Sequence, residues 1–348
     1  MLAIPVPFIV SMLFGLLAIT LYFRFSHQAK MACLFLGLCA LTTAMVGLRW
    51  TFQLSIFTIA QPILASMIPI VAWYTFAHVS RSHKRFPIKH YIVPFYVIIS
   101  ASTQFWLKLP LDEALTLIYV GYGIALIRIS AKETPLLNVS LGNWEGVKKA
   151  ENIAGWMLIF SALTDTCMSL DFAFNQGTWS LYILTIAHLI LLPVLSIAVI
   201  IAGINIPEQE QDQTNENSFE DKEFNVPPIM TVERAKEITE LLDSKIRQDS
   251  LYLDPELTLA KLTRKLGVPA KQISIAVNQT HGQNISRFIN AYRVKHAKQA
   301  LVTSRAPVTQ IFMNSGFQTK SNFNREFSRV TGMTPTDYRK HNLKPDNH

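Results

Sequence analysis

The chain has 348 residues, enough for two or three domains. Half of them are apolar, only 16% are charged and mean hydropathy is positive at +0.24, which excludes an ordinary soluble enzyme. The net charge is nevertheless +8, and residues 231–348 hold nineteen Lys and Arg against ten Asp and Glu, so the positive excess sits in the last third and the apolar excess elsewhere.

From the start to residue 204 the sequence predicts seven transmembrane helices, because a run of about 18 or more apolar residues can cross a bilayer core. The runs are 4–23, 31–48, 53–79, 91–109, 115–129, 153–174 and 181–204. The third carries Pro62 and Pro69 and is expected to kink. The fifth is the weakest, interrupted by Gly121 and Gly123. No basic stretch precedes the first run, so it reads as a span and not as a cleaved signal peptide. With the N-terminus outside, ten flanking Lys and Arg fall in the cytoplasm and only Arg49 and Lys108 outside. That orientation predicts a multi-pass protein of the cytoplasmic (inner) membrane with its C-terminus in the cytoplasm.

Cys33, Cys39 and Cys167 all fall within runs and read as packing residues. The tryptophans cluster near run ends, as an interfacial belt does. Ionisable residues inside spans are costly, which singles out Asp165, surrounded by Thr164, Thr166 and Ser169, together with His188 and the more peripheral Asp171 and His78. Asp165 and His188 fit either a sensing site facing the bundle interior or polar contacts that hold helices together. No nucleophile elbow, phosphate loop or metal-ligand spacing is present, so no catalytic residue, metal or cofactor is expected.

Residues 205–229 read as an acidic disordered linker, with seven acids against Lys222 as the single base and a Pro227-Pro228 end. Its random-coil reach is about 25–30 Å. From 230 to 340 the pattern is helical and amphipathic. A leading helix carries Ile238, Leu241, Leu242 and Ile246 on its apolar side. Thr258 caps a second helix that ends at Gly267, and Pro269 opens a third with Ile273, Ala276 and Val277 inward. That is a helix-turn-helix, with Lys271, Gln272, Ser274 and Ile275 as base-reading candidates. A long helix follows, with Phe288, Ile289, Tyr292, Ala297 and Leu301 on its inner side. Pro307 then opens a scaffold helix.

A Gly316-Phe317 turn and the cap Thr319 lead into the last recognition pattern, in which Phe323, Phe327 and Val330 form one apolar stripe. Lys320, Ser321, Asn322, Asn324 and Arg325 are the base-reading candidates there. Gly332 stops that helix, and Thr334-Pro335 opens a short final one that holds Tyr338 and Arg339. Phosphate-contact candidates across the domain are Lys261, Arg264, Arg287, Arg293, Arg329 and Arg339. Residues 341–348 read as a disordered tail.

The ordered run Gly316, Phe317, Thr319, Phe323, Arg325, Phe327, Gly332, Thr334, Pro335, Tyr338 and Arg339 resembles the second helix-turn-helix of AraC/XylS-family transcription regulators. The resemblance covers the last third of the chain. It implies two helix-turn-helix units rigidly joined by the long helix and set in successive major grooves of double-stranded DNA, with RNA polymerase as a further partner. The first unit departs from the family pattern at Ile275, where many relatives carry Arg, and at Val277-Asn278, where they carry Phe-Lys; an isoleucine at 275 suits a thymine methyl, and equally this half fits a role of mainly phosphate contacts. The expectation is an all-α, membrane-embedded one-component regulator that is not an enzyme. It would contact the lipid bilayer, a small-molecule or lipid signal and a second copy of itself as a homodimer. The alternatives are a transporter or lipid-modifying enzyme with a regulatory tail, and a C-terminal protein-interaction module that has lost DNA reading.

Overall fold

The computed structural model describes residues 5–24, 30–52, 54–78, 90, 92–103, 110–132, 135–205 and 230–342. These residues form fourteen α-helices and no strand. Two compact units emerge, one made of Met1–Thr134 with Glu145–Glu208, the other of Pro135–Trp144 with Gln209–His348. From the sequence alone, 135–144 is only a connection between spans.

The first unit contains α1 (Val6–Arg24), α2 (Lys30–Phe52), α3 (Ser55–Trp73), α4 (Ile92–Thr103), α5 (Leu111–Ala131), α6 (Trp144–Asn175) and α7 (Ser180–Asn205). Among the described residues, six helices are long and apolar enough to cross a membrane, while α4 is described over 12 residues, with 104–109 outside the described set. Pro62 and Pro69 lie within α3, which passes directly into a π-helical turn at Tyr74–His78. Large apolar side chains point outward along these helices: Phe23, Leu117, Phe174 and Leu189 are between 67% and 81% exposed. A water-soluble bundle would bury such residues.

Gly121 and Gly123 do not interrupt the fifth apolar helix, as the sequence suggested; α5 is continuous. A Cβ on Gly123 would lie 2.8 Å from the Gly155 carbonyl oxygen on α6, and one on Gly155 would lie 2.8 Å from that of Gly123. The two glycines therefore let two backbones approach closely, the packing mode favoured where no hydrophobic effect drives helices together. Polar cross-links among the described residues include Ser11 donating to the Ala40 carbonyl (2.7 Å), Tyr119 to that of Ala65 (2.9 Å), and Asn152 to Ser130 Oγ (3.2 Å). Asp171 is buried and local, accepting from the Trp179 amide (2.9 Å) and the Ser180 hydroxyl (2.8 Å) to fix the turn into α7. All three cysteines are free; Cys39 is buried, Cys33 is half-buried and Cys167 is exposed, so Cys167 does not pack inside the unit.

The second unit contains α8 (Val232–Gln248), α9 (Leu259–Leu266), α10 (Ala270–His281), α11 (Ile285–Thr303), α12 (Val308–Asn314), α13 (Lys320–Thr331) and α14 (Pro335–Asn342). Residues 206–229, where the acidic linker is expected, and 343–348, most of the expected tail, lie outside the described residues. Side-chain caps set the helix starts: Thr231, Thr258, Asn284 and Thr319 each accept the amide three residues on. Pro269 is the N-cap residue of α10, one position before the expected N1. Left-handed glycines at 267, 282 and 332 end α9, α10 and α13. Around α11 gathers a core of Val294, Ala297, Leu301, Ile311, Phe312, Phe317, Phe323 and Phe327. Two expected core positions are corrected. Leu241 is 45% and Val330 is 43% exposed, because α8 buries Ile238, Thr239 and Leu242 instead, and α13 turns Val330 out near its C-terminal end.

Candidate nucleic-acid interface

Helix α13 is aimed by the turn before it. Gly316 has φ +81°, and a Cβ there would lie 2.3 Å from the Tyr252 carbonyl oxygen, so only glycine lets the turn press against the Tyr252–Leu253 backbone. The turn drops Phe317 into the core, 5.2 Å from Phe323 between ring centroids; Phe323 in turn packs on Phe327 at 5.4 Å, and Phe327 on Tyr338 at 5.4 Å. Thr334 Oγ1 accepts the Asp337 amide (3.2 Å) and donates to its carboxylate (2.7 Å), which starts α14. Arg339 Nη2 donates to the Ala306 carbonyl (2.6 Å) and ties α14 to the turn before α12. The ordered punctuation of this stretch is thus one interlocked packing unit.

With that side buried, Lys320, Ser321 and Arg325 are exposed on α13, and Asn324 is half-buried. On α10, Lys271 is exposed and Gln272, Ser274 and Ile275 are half-buried. The Ser274 hydroxyl oxygen itself is buried and has no hydrogen-bond partner among the described residues. Asn322 is only 5% exposed: its Nδ2 donates to the Gly142 carbonyl and to Asn143 Oδ1 (3.2 Å), while its Oδ1 accepts from Arg325 Nη2 (2.8 Å). In this arrangement the Asn322 amide is turned to protein and not offered to a base, because the 141–143 turn covers it.

Among the phosphate candidates, Arg264, Arg287 and Arg329 are exposed, Lys261 is half-buried beside Asp254 (3.2 Å), and Arg339 is half-buried as described. Arg329 also pairs with the buried Glu326 at 2.9 Å. Arg293 is placed elsewhere. It is fully buried, with Nε donating to the Tyr252 carbonyl (2.8 Å), Nη2 to that of Asp254 (2.8 Å) and Nη1 to Asn290 Oδ1 (3.3 Å). Burial pulls its guanidinium down to about 10, with Asp254 acting in the opposite sense, so it is still charged at neutral pH. A phosphate cannot reach it; Arg293 is a strut between α11 and the Tyr252–Asp254 turn.

In the first unit, Asp165 and His188 line one cavity of about 150 Å³, together with Thr42, Thr43, Gln61 and Tyr119 and a mainly apolar remainder. His188 Nδ1 is 2.7 Å from the Leu184 carbonyl oxygen of its own helix. Both residues singled out together in the sequence line this common space.

The C-terminal part of the chain is similar to known proteins. A family described as "Helix-turn-helix domain" matches residues 262–341. An "Uncharacterized HTH-type transcriptional regulator" of Staphylococcus aureus is 29% identical over 103 residues, 28% of this chain and 14% of that protein. The "HTH-type transcriptional activator RhaR" of Escherichia coli is 29% identical over 106 residues, 30% of this chain and 38% of that protein. A solved Listeria innocua protein of unknown function is 26% identical, with 30% of this chain and 98% of that chain covered and a TM-score of 0.28. The chain thus spans well under half the length of these curated relatives. The C-terminal part of this chain is an AraC-type helix-turn-helix domain of the kind found in transcriptional regulators.

Proposed function

We propose that the chain is a membrane-embedded one-component transcription regulator and not an enzyme. The first unit sits in the cytoplasmic membrane with its N-terminus outside, and the helix-turn-helix unit binds specific double-stranded DNA in the cytoplasm. The observation that carries this reading is the contrast between the two units. The first turns a girdle of large apolar side chains outward, whereas the second buries most of its apolar residues and turns out Lys320, Ser321, Arg325 and Lys271. Chain topology supports it. The segment Pro135–Trp144 packs within the DNA-binding unit, so both must lie on one side of a bilayer. Two long apolar helices, α6 and α7, separate them in sequence, and two crossings return the chain to the same side.

The cavity around Asp165 and His188 is the proposed sensing site for a small molecule or lipid, in a place where ionisable side chains are costly to keep. Exposed cations on α9, α11 and α13 would supply phosphate contacts. RNA polymerase and a second copy of the chain are the proposed protein partners.

The deciding experiment is genome-wide crosslinking of the full chain beside an Arg325→Ala variant, with membrane fractionation of both. Sharp peaks that vanish in the variant, from protein recovered with the membrane, are expected. Removing a bidentate pairing of arginine with a base edge costs about 1–3 kcal/mol, or roughly tenfold or more in occupancy. Diffuse signal unchanged by the substitution would refute sequence reading, and recovery in the soluble fraction would refute embedding.

A further inference from the structure

Between α5 and α6 the chain passes through residues 135–143, a stretch that belongs, with Trp144 at the start of α6, to the DNA-binding unit. Leu136, Val139 and Leu141 are completely buried. On one side the stretch pairs with the start of α9. The Leu141 amide donates to the Leu257 carbonyl (2.8 Å), the Ala260 amide donates to the Leu137 carbonyl (3.1 Å), and Ser140 forms an antiparallel bridge with Thr258. Ser140 Oγ adds a bond to the Pro255 carbonyl at 2.7 Å. On the other side, Ser286 Oγ donates to the Leu141 carbonyl, Asn322 donates to Gly142 and Asn143, and Asn143 Nδ2 donates to Gln318 Oε1 at 2.5 Å. A connecting loop ordinarily leaves its backbone to water. This one is satisfied by both helix-turn-helix units at once.

Two of its partners are groups that DNA would use. The Ala260 amide lies in the first turn of α9, where unpaired N–H groups and the helix dipole suit a phosphate, and it is taken up by the Leu137 carbonyl. Asn322 lies in the first turn of α13, the end of a recognition helix that meets base edges. Its Nδ2 is held by Gly142 and Asn143, and its Oδ1 in turn holds Arg325.

We infer that Leu137–Asn143 is an internal ligand of the DNA-binding unit that competes with duplex DNA for this face, so that the docked form is the weakly binding form. This rests on the DNA-binding reading above. The two ends of the segment run on towards α5 and into α6. A shift of those helices would therefore pull the segment off its site directly, and residues 206–229 need carry no signal. A ligand in the bundle acts on transcription, on this view, through its preference for the released form.

The test uses the full chain in lipid nanodiscs with Gly142→Val and, separately, Leu141→Asp. A Cβ at Gly142 would lie 2.8 Å from Arg293 Nη1 and 3.4 Å from Asn322 Nδ2, so the valine docks only by displacing those side-chain ends; the aspartate would place a charge at a completely buried position. Neither side chain belongs to the base-reading or phosphate-binding set. Hydrogen exchange at the Leu141 and Ala260 amides reports docking, exchange at Val294 and Ala297 in α11 reports that the domain is folded, and the probe is a duplex pool enriched on the full chain. In the variants the docking amides should exchange fast with α11 still protected, and affinity for the pool should rise at least about fivefold, the low end of typical coupling. Freed amides with unchanged or weaker DNA binding would overturn the competition and leave the segment a structural brace. Fast exchange at these amides in the parent chain would overturn docking itself. Freed amides with no DNA bound by parent or variants would overturn the competition together with the DNA-binding reading, an outcome that flat crosslinking of the parent would show independently.

Discussion

Replacing Arg293 by methionine separates two roles that one side chain cannot have together. The guanidinium is fully buried and makes bonds of 2.8, 2.8 and 3.3 Å to the Tyr252 and Asp254 carbonyls and to Asn290. Methionine keeps much of the volume but strands the part-buried Tyr252 and Asp254 carbonyl oxygens. Each orphaned acceptor costs about 1–3 kcal/mol, and the 3.3 Å bond adds little, so the loss should come to about 2–6 kcal/mol. Against a total stability of about 5–15 kcal/mol for a domain, that is a large fraction. Native-state hydrogen exchange of the Val294 and Ala297 amides, both in the fully buried part of α11, reads this free energy in the full chain. The control is Arg287→Ala, because Arg287 is exposed near the start of the same helix. That variant should leave exchange unchanged and reduce the slope of log affinity against log salt by about one, as expected when one phosphate fewer is neutralised. If Arg293→Met instead left α11 protection within about 1 kcal/mol of the parent and lowered the salt slope, the strut assignment would be wrong and Arg293 would reach DNA.

Two further outcomes follow from close approaches. Gly316→Ala puts a Cβ 2.3 Å from the Tyr252 carbonyl oxygen at a φ of +81°, and should destabilise the domain by about 2 kcal/mol or more; wild-type exchange protection in α13 would show that the turn adapts freely. Gly123→Val forces α5 and α6 apart, since its Cβ meets the Gly155 oxygen at 2.8 Å. Its thermal unfolding in detergent should move to lower temperature, whereas Gly121→Val, where a Cβ meets nothing within 4 Å, should leave it almost unchanged, and equal effects would refute the close crossing. For the cavity, Asp165→Asn should change reporter output from a crosslinked promoter without altering binding of naked DNA by detergent-solubilised protein; identical output under every growth condition tried would argue that Asp165 only holds helices together.

Local chemistry writes most of this architecture into the sequence. Thr258 and Thr319 are caps because a hydroxyl three residues before a free amide satisfies it wherever it occurs, and Gly267 and Gly332 end helices because a left-handed residue does so without strain. The apolar runs announce their helices by length alone, and Phe323 and Phe327 sit one helical turn apart on the side that becomes core. The place of Arg293 is legible too, although its charge disguises it. Ile285, Ile289, Arg293, Ala297 and Leu301 recur every fourth residue, and all five are buried. Periodicity taken without regard to charge puts the guanidinium inside.

What no local pattern states is which distant groups satisfy one another. The Gly142 carbonyl and the Asn322 amide are 180 residues apart, and nothing near either predicts the other. The same holds for the Ala260 amide and the Leu137 carbonyl, and for the Gly123–Gly155 crossing, which makes an apparent helix breaker into a packing surface. The sequence by itself determined the long apolar helices, the capped amphipathic helices of the C-terminal part and the polar face of α13. Only the tertiary structure decided that Arg293 is a strut, that Asn322 is covered, and that a loop from among the apolar helices lies on the DNA-binding unit. Burial and polar pairing are settled by neighbours in space, whereas caps, glycine turns and apolar runs act within a few residues of themselves.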